Sequence, residues 1–219
     1  MRRAPAILWA CVFALHTLLV APPAAAQQAA AQKPIRADID YRAITPQPVQ
    51  VPAAQIEVIE FFWYGCPYCN SLQPVFERWI SGKPADVTVR RIPAVLRENW
   101  APHARVFYTL EALGEVERLH QRAYYSYHVE ELAMSRPEAM SEWAIRNGIA
   151  REHWDTAYNS AAVQRKVEEA AQLTRAYSVT GTPSLVVDGR YLTSGSMSET
   201  LDGLIPILDG LLFRVRATR

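Results

Sequence analysis

Seven consecutive residues, Ile56-Glu57-Val58-Ile59-Glu60-Phe61-Phe62, constrain the fold of this chain more than any other segment. β-Branched and aromatic side chains fall on both faces of the alternation, the pattern of a central strand covered on each side. The strand runs through Trp63-Tyr64-Gly65 into Cys66-Pro67-Tyr68-Cys69. Beyond Pro67, the residues Leu72, Val75, Phe76 and Trp79 recur at helical spacing. Proline suits a first helical turn, because the N–H it lacks would have no helical partner there. Cys66 is therefore expected at a helix N-terminus, with Pro74 kinking the helix further on.

Two cysteines three positions apart across a helix start can close a small disulfide. Once it is reduced, the first sulfur faces unpaired backbone N–H groups at the positive end of the helix dipole, which favours its thiolate. A depressed Cys66 pKa stabilises the reduced form and makes the disulfide a better oxidant, by on the order of 30 mV per pKa unit. The alternatives are half a zinc site or a structural staple. Zinc needs about four ligands, and His103, His120, His128 and His153 come from a helical region without a second paired spacing. A staple across so short a loop would restrain the unfolded chain very little. A redox-active dithiol without metal or other cofactor is the stronger reading.

The first 26 residues read as a secretory signal peptide: Met1-Arg2-Arg3, the apolar run Ile7 to Val20, and Ala24-Ala25-Ala26 before the cleavage site. The apolar run is shorter than the roughly 20 residues that span a bilayer. Cys11 lies within it and should leave with the signal, so the mature chain keeps an even pair of thiols, as suits an oxidising compartment. Losing Arg2 and Arg3 takes 23 basic residues to 21 against 22 acids, a balance that argues against nucleic acid as a partner. About 190 residues, half of them hydrophobic, bury a core without staples.

Residues 27–55 form a Pro- and Ala-rich leader, with one possible short strand at Tyr41 to Ile44. Val87 to Ile92 reads as a strand. Between Leu96 and Tyr177 only helical segments are expected: Ala104–Leu113, Val116–Met134, Arg136–Asn147, Arg151–Ser160 and Ala162–Tyr177. Ser135-Arg136-Pro137-Glu138 has the form of a capping box, and Asn147-Gly148 that of a helix stop. Ser184 to Val187 and Arg190 to Thr193 flank Asp188-Gly189, a strong hairpin signal for an antiparallel edge pair. A last helix is expected to open at Ser196-Met197-Ser198-Glu199 and to kink at Pro206.

Glu60-Phe61-Phe62, Cys66-Pro67-Tyr68-Cys69, the helical stretch and Gly181-Thr182-Pro183 together resemble the DsbA family of periplasmic disulfide-forming oxidoreductases. The resemblance runs from about Ile56 to the C-terminus. It implies a thioredoxin fold, α/β in class, formed by residues 56–95 and 178–219 and interrupted by an all-helical insertion at 96–177. It further implies that Cys66 receives the attack of a substrate thiolate while Cys69 is the more buried partner. Pro183 would be a cis-proline lying against the dithiol, with the backbone of Thr182 pairing with a bound peptide. The implied partners are reduced, newly exported proteins and a membrane reoxidant of the DsbB type, with the protein acting as a monomer in the periplasm.

Tyr68 departs from the Pro-His dipeptide of many family members and offers no imidazolium beside the thiolate, which points to a milder oxidant. Glu60 shares a strand face with Val58 and Phe62 and is expected in an apolar interior beneath the dithiol, its pKa raised, where it could relay a proton to or from Cys69; a partly exposed or paired carboxylate without a role is the alternative. Trp63, Tyr64 and Tyr68 could form an apolar docking surface, or simply core and rim. Among rival functions, an isomerase or reductase of the DsbC and DsbG kind would need an N-terminal dimerisation domain, for which the leader is too short. A glutaredoxin would lack both the signal and the helices. A peptide-binding chaperone would use the groove without the thiols.

Overall fold

The computed structural model describes residues 34–219. The expected signal peptide, its cleavage site and Cys11 lie outside these residues. Five strands form one sheet: β1 (Arg42–Ala43), β2 (Ile56–Phe62), β3 (Val87–Pro93), β4 (Ser184–Val187) and β5 (Tyr191–Ser194), in the order β1-β5-β4-β2-β3. Every residue of β2 is buried. It pairs in parallel with β3, setting Glu60 opposite Arg91, and antiparallel with β4, setting Glu60 opposite Leu185. This central place is why its sequence carries apolar side chains on both faces.

The β4–β5 hairpin turns at Asp188 and Gly189, both with positive φ, as the Asp-Gly pair foretells. It is not an edge pair, however: β1 adds to β5 as the outermost strand, and Tyr41 just before it is buried. The leader is thus tied to the sheet from Tyr41 onward, because the backbone edge of β5 offers hydrogen bonds that the residues before β2 can take up.

Helix α1 (Pro67–Gly82) follows β2 and keeps Pro74 in its interior. Losing a backbone bond there costs about 3 kcal/mol, which the buried faces of Leu72 and Phe76 offset. Between β3 and β4 run a short 3-10 turn (Glu98–Trp100) and helices α2 (Ala101–Ala112), α3 (Val116–His128), α4 (Pro137–Arg146), α5 (Arg151–Tyr158) and α6 (Ala161–Ala176). Helix α3 stops at His128, short of the expected Met134, and the chain then bends through Glu131 at a φ of 55°. The capping box does not form: Arg136 occupies the cap and its side chain makes no capping bond. Proline at the start of α4 presets the first turn without help from Ser135. Val163, Val167, Ala170, Thr174 and Tyr177 do form one buried stripe.

The last helix differs most from expectation. Ser196 to Gly203 form a 3-10 turn and bends, and α7 spans Leu204–Ala217. The Gly203 N–H donates to Thr200 Oγ1 at 3.1 Å, so the chain makes its own turn before the helix starts. Pro206 consequently lies in the first helical turn, where it breaks no backbone bond.

Two apolar clusters fill the space on the sheet. One brings Val58, Val87, Leu185 and Val187 against Leu72 and Phe76 of α1 and against Leu204, Leu208, Leu211 and Leu212 of α7. The other continues from Ile59, Phe61, Phe62 and Ile92 into the helical stretch through Phe107, Leu119, Tyr124, Trp143 and Trp154, and includes Cys66 and Cys69. The dithiol therefore lies where the sheet's core joins the core of the helices.

Candidate active site

The chain leaves β2 at Phe62 and turns so that the Cys66 N–H donates to the Trp63 carbonyl at 3.0 Å. Gly65 is needed for this turn: a Cβ there would meet the Trp63 ring at 2.3 Å, because the indole lies directly over it. Trp63 is fixed in turn by a parallel stack on Trp100, with centroids 4.1 Å apart. Cys66 is the N-cap of α1 and its sulfur accepts the backbone N–H of Cys69 at 3.3 Å. The cysteine thus fills the capping place usually held by Ser or Asp.

The two thiols are not equivalent. Cys66 is mostly buried but lies at the surface, whereas Cys69 has no exposed area. The hydrogen bond from Cys69, opposed by burial and aided by backbone N–H groups of Cys69 and Tyr68, lowers the Cys66 pKa from 9 to about 6. Burial first, and then the neighbouring Cys66, raise that of Cys69 well above its ordinary value. The partly buried sulfur is a thiolate at neutral pH and the sealed one is a thiol.

Thr182-Pro183 closes the site from the other end of the sequence. The peptide bond between them is cis, and the Cys66 thiol donates to the Thr182 carbonyl at 3.2 Å. Tyr68 projects outward with 63% of its surface exposed. A groove of about 550 Å³ runs from Tyr68 past Thr182 and Pro183 to Ser196 and Glu199.

Glu60 is fully buried, with polar company instead of the purely apolar interior expected. Gln73 Nε2 of α1 donates to its Oε1 at 2.8 Å, and Arg91 Nε of β3 to its Oε2 at 3.2 Å; Arg91 also pairs with Glu77. Burial outweighs the arginine and lifts the carboxyl from 4.5 to about 7. Arg91 and Gln73 were not singled out in the sequence. The signal was present: two consecutive arginines in the partly buried outer strand Val87–Pro93 lie beside a strand that carries two buried glutamates, and Glu57 and Glu60 pair with Arg90 and Arg91.

The three aromatics before and within the motif separate. Tyr68 is exposed, Trp63 is stacked at the rim, and Tyr64 is fully buried, so Tyr64 belongs to the core and not to a docking surface. Its hydroxyl meets His120 Nδ1 at 2.9 Å and its ring packs edge-on to Phe62 and Tyr124. Of the histidines weighed as zinc ligands, His120 is therefore held by Tyr64, and His128 Nε2 lies 2.8 Å from the Tyr64 carbonyl.

A strand delivering a capped, asymmetric dithiol against a cis-proline defines a thiol–disulfide oxidoreductase of thioredoxin fold. Residues 91–205 match the family model described as a DSBA-like thioredoxin domain. The thiol:disulfide interchange protein DsbA of Burkholderia cepacia is 34% identical over 172 residues, 78% of this chain and 81% of that one. The protein of the same name from Pseudomonas aeruginosa is 37% identical over 161 residues, 72% and 76% of the two chains. The crystal structure of Pseudomonas aeruginosa DsbA superposes with a TM-score of 0.80 at 34% identity, covering 84% of this chain and 96% of that one. This chain belongs to the DsbA family.

Proposed function

We propose that the protein is exported to the periplasm by a cleaved signal peptide at residues 1–26, and that it donates its Cys66–Cys69 disulfide to reduced, newly exported polypeptides. The observation that carries this reading is the asymmetry of the dithiol. A thiolate at Cys66 is a good leaving group and stabilises the reduced form, so electrons flow from substrate to protein.

In the first step a substrate thiolate attacks Cys66 Sγ, the Cys66–Cys69 bond breaks, and Cys69 leaves and takes up a proton. Glu60, buried and with its pKa raised to about 7, is the group that supplies that proton. In the second step another substrate thiolate attacks the substrate sulfur of the mixed disulfide and expels Cys66 as a thiolate. Two substrate thiols become a disulfide and the protein's disulfide becomes a dithiol, two electrons in all. The backbone of Thr182, held in place by cis Pro183, pairs with the substrate strand while Tyr68 covers its flank. Family membership supports this division of labour and the need for a membrane reoxidant of the DsbB type to restore the disulfide. It likewise supports a thioredoxin-like part at 56–95 and 178–219, a helical insertion at 96–177, and action as a monomer that needs no metal or other cofactor.

The test is equilibration of the pair with glutathione, together with thiolate absorbance of Cys66 over pH. A potential well above that of thioredoxin and a Cys66 pKa near 6 support the donor; a thioredoxin-like potential would sink it.

A further inference from the structure

The groove beside the dithiol has an unusual lining. Apolar atoms make up the larger part of its exposed lining, with Tyr68, Pro183 and Leu201 among them, and hydroxyl-bearing residues such as Thr182, Ser196 and Thr200 are interspersed. Glu199 is the one charged residue along its described wall. A mostly apolar cleft with a single carboxylate suits a long basic side chain, whose alkyl stem packs on the wall while its charged head meets the acid.

Glu199 is not neutralised from within the fold. Arg36 is close enough for the two charges to interact, but its guanidinium is committed to Asp40, with bonds of 3.0 and 2.9 Å from Nε and Nη2. No other described cation forms an ion pair with Glu199. The segment that carries it, Ser198 to Thr200, forms a ridge between the groove and a smaller cavity on the Arg36 side, pinned by the Ser198 hydroxyl donating to the Thr200 carbonyl at 2.7 Å. A carboxylate on a fixed ridge, at one wall of a cleft with no opposing charge, attracts cations into that cleft. The exposed Tyr68 ring offers a second favourable surface to the same cation.

We propose that this groove is a subsite for a basic side chain, so that the polypeptides handled best carry Lys or Arg close to the reacting cysteine, with Glu199 as the specificity-determining residue. The proposal rests on thiol–disulfide exchange at Cys66 and adds the class of substrate. Glu199 touches neither sulfur, so its replacement leaves the chemistry of the dithiol intact.

The experiment compares three synthetic peptides that differ only at one residue beside a single cysteine: Lys, Glu or Leu. Second-order rates of thiol attack on the oxidised protein are measured by rapid mixing at low and high salt, for the native chain and for Glu199→Gln. The reverse reaction, reduced protein with the matching peptide disulfides, is measured alongside. Both reactions form the same mixed disulfide between Cys66 and the peptide, with the variable residue beside the groove, so the preference shows in either. The Lys peptide is expected to react about two- to fivefold faster than the Glu peptide at low salt, as befits one exposed charge pair, with the Leu peptide as the uncharged reference whose rate salt does not change. Salt or Glu199→Gln should remove most of the difference without moving the redox potential. Equal rates for Lys and Glu peptides, or a ratio that survives Glu199→Gln, would each overturn the proposal. A net reaction that runs only toward peptide thiols would instead overturn the donor reading, and the Lys-to-Glu ratio would still decide the subsite.

Discussion

The Cys66 thiol donates to the Thr182 carbonyl oxygen at 3.2 Å, joining residues 116 positions apart in the sequence. The bond exists only while the sulfur carries its proton, because a thiolate has nothing to donate. Ionisation, or closure of the disulfide, removes this donor from the Thr182 carbonyl. The redox and protonation state of Cys66 therefore changes what the backbone beside cis Pro183 is bonded to.

Replacing Cys66 by Ala should abolish thiol oxidation while leaving the fold intact, since a small apolar side chain suits its mostly buried place. Replacing Cys69 by Ala should raise the Cys66 pKa, because the Cys69 hydrogen bond is the largest cause holding it down, and should remove the thiol that can reverse mixed-disulfide formation. Mass spectrometry of Cys69→Ala mixed with oxidised glutathione should show an adduct on Cys66 that persists until a second thiol is added, and its absence would argue against Cys66 as the sulfur that forms the mixed disulfide.

Tyr68→His introduces an imidazolium next to the helix start. The Cys66 pKa should fall below its value of about 6, by roughly one to two units, and the potential should rise by on the order of 30 to 60 mV. Thiolate absorbance and glutathione equilibration give the two numbers independently. If both stay fixed, the dipeptide does not tune this protein.

Glu60 should make the oxidised protein less stable as pH rises. Its carboxyl pKa is raised from 4.5 to about 7 in the fold, so the folded chain holds a proton that the unfolded chain has already released between these values. The contribution is fully present below pH 4.5 and is lost as pH climbs through 7, amounting to about 3 kcal/mol for a shift of this size. Denaturant titrations of the oxidised form should show the slope, and Glu60→Gln should flatten it. The same substitution should slow mixed-disulfide formation near pH 7 if the carboxyl supplies the proton to Cys69; an unchanged pH–rate profile would exclude that role.

Gly65→Ala should be costly despite the small change. The added methyl must displace the Trp63 ring, which is stacked on Trp100 and tilted against His103 at 5.4 Å. A loss of about 1–3 kcal/mol is expected, with a change in the near-ultraviolet circular dichroism of the stacked indoles. A variant as stable as the native chain would show that the stack is easily rearranged.

Segments whose signal lies within one short stretch of sequence are read well. Ile56–Phe62, the Asp188-Gly189 turn and the buried stripe from Val163 to Tyr177 each follow from a local pattern. The dithiol and the Thr182-Pro183 turn were legible as motifs, but only the fold brings the sulfur and the carbonyl together. Misreadings came where local signals compete. Ser196 to Glu199 resembles a helix start, yet Thr200 and Gly203 close a turn first and delay α7 to Leu204. The partnership of Glu60 with Arg91 depends on strand register, which no single stretch of sequence displays.

Because Phe62 touches Phe107, His120 and Tyr124, and Tyr64 bonds to His120, one core is shared between sheet and helices. Anyone seeking a pared-down version of this enzyme could not simply delete residues 96–177 and rejoin the ends. The cut would turn a packed aromatic wall beside the dithiol into bare greasy surface, and the shortened molecule would need that wall redesigned for water before it could stay dispersed.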